Sequence, residues 1–92
     1  MWELPKYIRG KLSLTVVEIE LLIAAICKDC ANIKMVDRFI QTRLTEYEIL
    51  YRSNTINDLE REEWMDWVDI EAYFDLHKLS FERQFFRRKL WV

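Results

Sequence analysis

The sequence predicts an all-α fold: a compact bundle of about four helices, with a buried first helix and an N-terminal arm. Three observations carry this. One Gly and one Pro among 92 residues leave few places to turn, while good helix formers abound. Residues 14–31 hold thirteen apolar or cysteine side chains in eighteen positions, without Gly or Pro. Further along, apolar residues recur at spacings of three and four, the period of a helix with one buried face. The expected organisation is a single helical domain over residues 1–92, small enough that its core is limited.

Residues 1–11 read as the arm. Trp2, Leu4, Tyr7 and Ile8 could pin it to the core, Pro5 and Gly10 resist regular structure, and Lys6, Arg9 and Lys11 favour solvent. Docking within the chain is the simpler expectation, and docking into another subunit the alternative.

The first helix has a start signal. Thr15 and Glu18 have the spacing of a capping box, with Ser13 a second possible cap. Alternation over Leu12–Val16 also fits a short strand. At about 100° per residue, Thr15, Glu18, Leu22, Ala25 and Asp29 share a narrow, partly polar strip. Val16, Ile19, Ile23, Ile26 and Cys30 point elsewhere, so the helix is expected to be covered on several sides. Glu20 falls inside the apolar arc, where a carboxylate must be paired, protonated or at an opening. A structural ion pair or a route to water is the ordinary explanation, and contact with a partner the sharper one.

Asn32 can end this helix, cap the next, or both. The second helix is expected over Ile33 to Arg52, with Ile33, Val36, Ile40, Leu44, Tyr47 and Tyr51 inward and Phe39, Ile49 and Leu50 widening the stripe. Ser53-Asn54-Thr55 breaks the chain. Asn57 and Glu60 have capping-box spacing, so a third helix should run from Asp58 to about Leu76. Trp64, Trp67, Val68 and Phe74 are its expected buried side, flanked by Ile70 and Tyr73. A break at Lys78 to Ser80 precedes a short fourth helix, capped by Ser80 and running from Phe81 to about Leu90. There Phe81, Phe85, Phe86 and Leu90 should face inward, and Arg83, Arg87, Arg88 and Lys89 outward.

The net charge of −2 conceals segregation: +2 over residues 1–45, −7 over 46–78 and +3 over 79–92. Such asymmetry serves internal pairing, self-association or recognition of a charged partner. The start, Met1-Trp2-Glu3, has no basic n-region followed by an apolar core, so no secretory signal is expected. The longest apolar run is broken by Glu18 and Glu20 and ends at Lys28, too short and charged to span a bilayer. The expected location is cytoplasmic.

No motif carries chemistry convincingly. Cys27-Lys28-Asp29-Cys30 is a C-x-x-C, but it lies late in a helix, where the dipole opposes a thiolate. Zinc needs about four ligands; there is no second pair, and His77 is the only histidine. Buried structural cysteines are therefore expected, with metal across a dimer interface as the remainder. His77 has no local nucleophilic partner, and Glu62 with Asp66 at i,i+4 has no evident apolar cleft to raise one pKa. No catalytic, cofactor or metal site is expected, and hence no enzyme.

Charge and aromatics supply the candidates for partner binding. Asp58, Glu62, Asp66 and Asp69 follow at four, four and three residues, forming one helix stripe. It is either a solvated face or a docking surface for a basic protein. Trp64 and Trp67 would be its anchors if exposed. Arg87 and Arg88 form a small basic cluster near the C-terminus, which could pair with the acidic helix or touch an anion. Thirteen aromatic residues suggest an exposed patch, and a two-fold homodimer is the default association.

The favoured function is a non-enzymatic adaptor or small inhibitor that occupies a protein partner's surface. Second comes an acidic nucleic-acid mimic that blocks a nucleic-acid-binding enzyme, as some phage-encoded defence inhibitors do. Third is direct nucleic-acid binding through the basic C-terminal helix. The first two helices could be a helix-turn-helix, but their junction lacks Gly and the second is not notably basic.

Overall fold

The computed structural model describes the backbone of residues 14–90 and the side chains of residues 14–86. Residues 1–13, with the N-terminal arm, Leu12 and Ser13, and the side chains of Arg87, Arg88, Lys89 and Leu90 lie outside the described residues. Four helices follow in order: α1 (Val16–Lys28), α2 (Ile33–Arg52), α3 (Asp58–Leu76) and α4 (Lys78–Leu90). The described residues form no strand, and Thr15 is an N-cap.

Local chemistry explains most boundaries. At the start of α1 the Glu18 N–H donates to Thr15 Oγ1 at 3.2 Å, and the Thr15 N–H donates to Glu18 Oε1 at 3.0 Å. Glu18 is buried, so the capping box also helps hold a carboxylate at the edge of the core. Thr15→Ala is expected to cost ~1 kcal/mol in urea denaturation, the usual value of a lost cap. Asn32 caps α2 by accepting from the Met35 N–H at 3.0 Å. After α2, Asn54 takes φ 56°, a left-handed conformation that asparagine tolerates better than most residues. Asn57 and Glu60 form the second capping box, at the start of α3.

The junction before α4 is tighter than the sequence implied. One residue, His77, separates α3 from α4, and Ser80 lies inside the first turn of α4 instead of capping it. The His77 carbonyl accepts from the N–H groups of Ser80 at 3.0 Å and Phe81 at 3.3 Å, so the new helix begins at once.

One apolar core joins all four helices. Leu22, Ile23, Ile26 and Cys27 come from α1, Val36, Ile40 and Tyr47 from α2, Trp67, Ile70 and Phe74 from α3, and Phe81 and Phe85 from α4. Four faces differ from expectation; on α2, Ile49 and Tyr51 are exposed at 60% and 53%, although they were expected in or beside the buried stripe. On α1, Glu18 and Leu22 are buried, although they were assigned to the polar strip, while Val16, Val17 and Leu21 are exposed. A helix so evenly apolar does not reveal which side faces the bundle; its neighbours decide that. On α3, Ile70 is fully buried and Val68 is exposed, because the buried direction runs through Trp67, Ile70 and Phe74. On α4, Phe86 is exposed, the inward stripe being Phe81 and Phe85. No helix among the described residues is long and apolar enough to cross a membrane.

A polar chain ties α2 to α3. Arg43 Nη2 donates to Tyr47 Oη at 3.3 Å, and Tyr47 Oη donates to Glu63 Oε2 at 2.8 Å. Burial and the bond to Glu63 push the Tyr47 phenol well above its usual range. The Arg43 guanidinium lies over the rings of Tyr47 and Trp67, 5.6 and 5.4 Å from their centroids.

Candidate functional site

The solvent side of α3 concentrates the most chemistry. Met65, Val68, Ala72 and Leu76 follow at three, four and four residues, so they form one stripe along the helix. All four are exposed, Met65 by 70% and Leu76 by 78%. Asp58, Asp69 and Asp75 are exposed on the same helix, and Glu62 is half-buried. α3 is thus apolar on two opposite sides: one packs into the bundle, and the other forms an apolar strip with a mainly acidic border, Arg61 being the exposed cation at its N-terminal end.

The sequence-derived candidates are divided by this arrangement. Asp58 and Asp69 remain on the surface. Trp64 is half-buried, its ring packed on Tyr51 with centroids 5.6 Å apart. Trp67 is fully buried, 6.0 Å from the Phe39 ring, and is not available as an anchor. Asp66 is also buried, so the proposed acidic stripe loses its third member. The cause is geometric: two steps of four overshoot a helix of 3.6 residues per turn by about 80°, carrying Asp66 toward the buried side, and the step of three returns Asp69 to the surface. Met65, Val68 and Leu76 replace the tryptophans as exposed apolar residues. Their helical spacing was present in the sequence, hidden by the assumption that α3 has one apolar face.

Asp66 is electrostatically unusual. Burial, then the nearby carboxylates of Asp69, Glu62, Glu63 and Glu18, push its carboxyl up to about 6. No hydrogen bond or ion pair to a described residue compensates it.

A second concavity lies where α1 meets the α3–α4 junction. It measures about 480 Å³ and is lined by Val17, Glu20, Leu21 and Ala24 of α1, Tyr73 and His77, and Ser80, Phe81 and Gln84 of α4. Tyr73 Oη donates to Glu20 Oε1, and the Tyr73 ring stacks on His77 with centroids 4.3 Å apart. The bond to the Glu20 carboxylate raises the Tyr73 phenol above its ordinary value. Glu20 therefore sits at an opening, held by a tyrosine. No ion pair joins it to a described residue.

A third cleft, also about 480 Å³, runs between the end of α1 and α2, lined by Ile26, Cys30, Met35 and Phe39 with Arg38 and Arg43. Its charges balance, because Asp29 and Glu46 share the rim and Arg43 Nη1 donates to Glu46 Oε2 at 3.2 Å. Cys27 and Cys30 are buried near the C-terminal end of α1. Among the described residues, no group of three or more histidine, cysteine or acidic side chains is arranged to hold a metal ion.

No family model matches this chain, and no curated protein or solved structure is significantly similar to it.

Proposed function

We propose that the chain is a non-enzymatic interaction module, an adaptor or small inhibitor, that docks a basic protein on the solvent side of α3. The observation that supports this reading is the exposed strip of Met65, Val68 and Leu76 bordered by Asp58, Asp69 and Asp75. An apolar centre with a charged border has the anatomy of a protein interface: the centre supplies affinity, and the border supplies steering and specificity. The partner then carries an apolar cleft with lysine or arginine around it.

The charge sign argues against a second copy of this chain as the occupant. Two such faces related by a two-fold axis would bring Asp58, Asp69 and Asp75 toward identical acids. A homodimer would use another surface. A nucleic-acid mimic is less well supported, because it needs a regular run of surface acids. Here Asp66 is withdrawn, and Met65 and Val68 interrupt the remaining carboxylates.

The test is capture of partner proteins from nuclease-treated cells by wild type and by two variants with verified helix content. Met65→Asp is expected to weaken capture at least tenfold while leaving stability within ~0.5 kcal/mol, as for most surface changes. Asp58→Lys with Asp69→Lys is expected to slow association and flatten its dependence on salt. Capture unaffected by either variant would sink the reading.

A further inference from the structure

We infer that the recess between α1 and the α3–α4 junction receives the ammonium group of a lysine side chain presented by a protein partner. Glu20 is a carboxylate flanked on its helix by apolar residues, with Val17 and Leu21 exposed beside it and Ala24 half-buried. Glu20 is exposed, and among the described residues no lysine or arginine forms an ion pair with it. The carboxylate is fixed in direction by Tyr73, and the rings of Tyr73, His77 and Phe81 line the wall. Aromatic faces attract an ammonium group, and Val17, Leu21 and Ala24 offer an apolar floor for a four-carbon stem.

Lysine fits better than arginine. Tyr73 occupies Glu20 Oε1, which leaves the other oxygen for one further strong donor. A guanidinium gains most from gripping both oxygens of a carboxylate, whereas an ammonium acts as a point charge. A protein side chain also fits better than a free amine. Val17 and Leu21 are more than half exposed, so the recess is a shallow groove. A small molecule there would stay largely in water, while a side chain tethered to a docked chain pays less of the cost of association. The partner assignment rests on the reading of this chain as a protein-binding module; the preference for an ammonium group does not.

The experiment is a titration of the full chain, followed by NMR at Ala24, Tyr73 and His77, with lysine blocked at both backbone ends. Comparison ligands are blocked norleucine, blocked arginine and n-butylammonium. Blocked lysine and n-butylammonium are expected to bind alike, at least fivefold more tightly than blocked norleucine and blocked arginine. Glu20→Gln, a surface change, is expected to weaken it at least fivefold. Tyr73→Phe should narrow the gap between lysine and arginine by releasing Oε1. Met65→Asp should leave the titration unchanged, so failure here is separable from failure of the α3 face. Norleucine binding as well as lysine, or indifference to Glu20→Gln, would overturn the site. Partner capture unchanged by Glu20→Gln would overturn the assignment to a protein side chain.

Discussion

Replacing Trp67 by alanine is expected to destabilise the protein by ~3–5 kcal/mol, the range for truncating a large buried aromatic. The indole is fully buried in α3, with Phe39 against it and the Arg43 guanidinium across its face. The substitution would open a void where α2 meets α3 and strip the guanidinium of one of its two rings. Small domains hold only ~5–15 kcal/mol in total, and a core of this size belongs near the lower end. Trp67→Ala should therefore leave little cooperative unfolding in urea and a weakened near-ultraviolet signal. Trp67→Phe keeps a ring against Phe39 and should lose less than half as much. A Trp67→Ala protein within ~1 kcal/mol of wild type would mean that the α2–α3 contact is not the centre of the core.

Asp66→Asn is expected to stabilise the protein at neutral pH and to have no stabilising effect in acid. In the unfolded chain this carboxyl ionises near its ordinary value of 3.8, and in the fold near 6. Between these values the folded state holds a proton that the unfolded state has released. Stability conferred by this group is therefore complete below the lower value, falls as pH rises to about 6, and levels off above it. The full displacement corresponds to ~3 kcal/mol, which solvent around the neighbouring carboxylates reduces to ~2 kcal/mol at pH 7. Asparagine removes the charge at nearly constant volume. Urea denaturation of both proteins from pH 4 to 8 checks this: the difference should grow through pH 5 to 6 and then hold. Parallel profiles would show that Asp66 keeps ordinary acidity in the fold.

The helices and their starts were legible because their signals are local. Thr15 with Glu18, Asn32, and Asn57 with Glu60 each satisfy backbone donors within one turn, and all three caps form. Most of the α2 stripe was legible too, since Val36, Ile40 and Tyr47 are separated from charged residues on the opposite side, but its C-terminal end was not, Ile49 and Tyr51 being exposed. α1 and α3 were harder. Each is apolar in more than one direction, so the buried side depends on where the other helices lie. That choice exposes Val17, Leu21 and Val68 and buries Glu18, Asp66 and Ile70. The juxtaposition of Glu20 with Tyr73 spans 53 positions, and no local pattern could join them. The sequence did mark Glu20 as out of place, and the structure supplies the opening that accommodates it.

The one-residue joint at His77 sets a rule about chain length. Phe81 and Phe85 are in the core only because α4 starts in fixed rotational phase with α3. Each inserted residue would turn that phase by about 100° and shift α4 along its axis by about 1.5 Å. One added residue would carry both phenylalanines off the core and bring polar neighbours in. The joint should accept many side chains at position 77 but no change in residue number. The longer turn around Asn54, with the Ser53 and Thr55 hydroxyls hydrogen-bonded near the end of α2, is not helical, so α3 does not take its rotational phase directly from α2. Variation among any descendants of this chain should therefore appear as substitutions at the first junction and as insertions at the second.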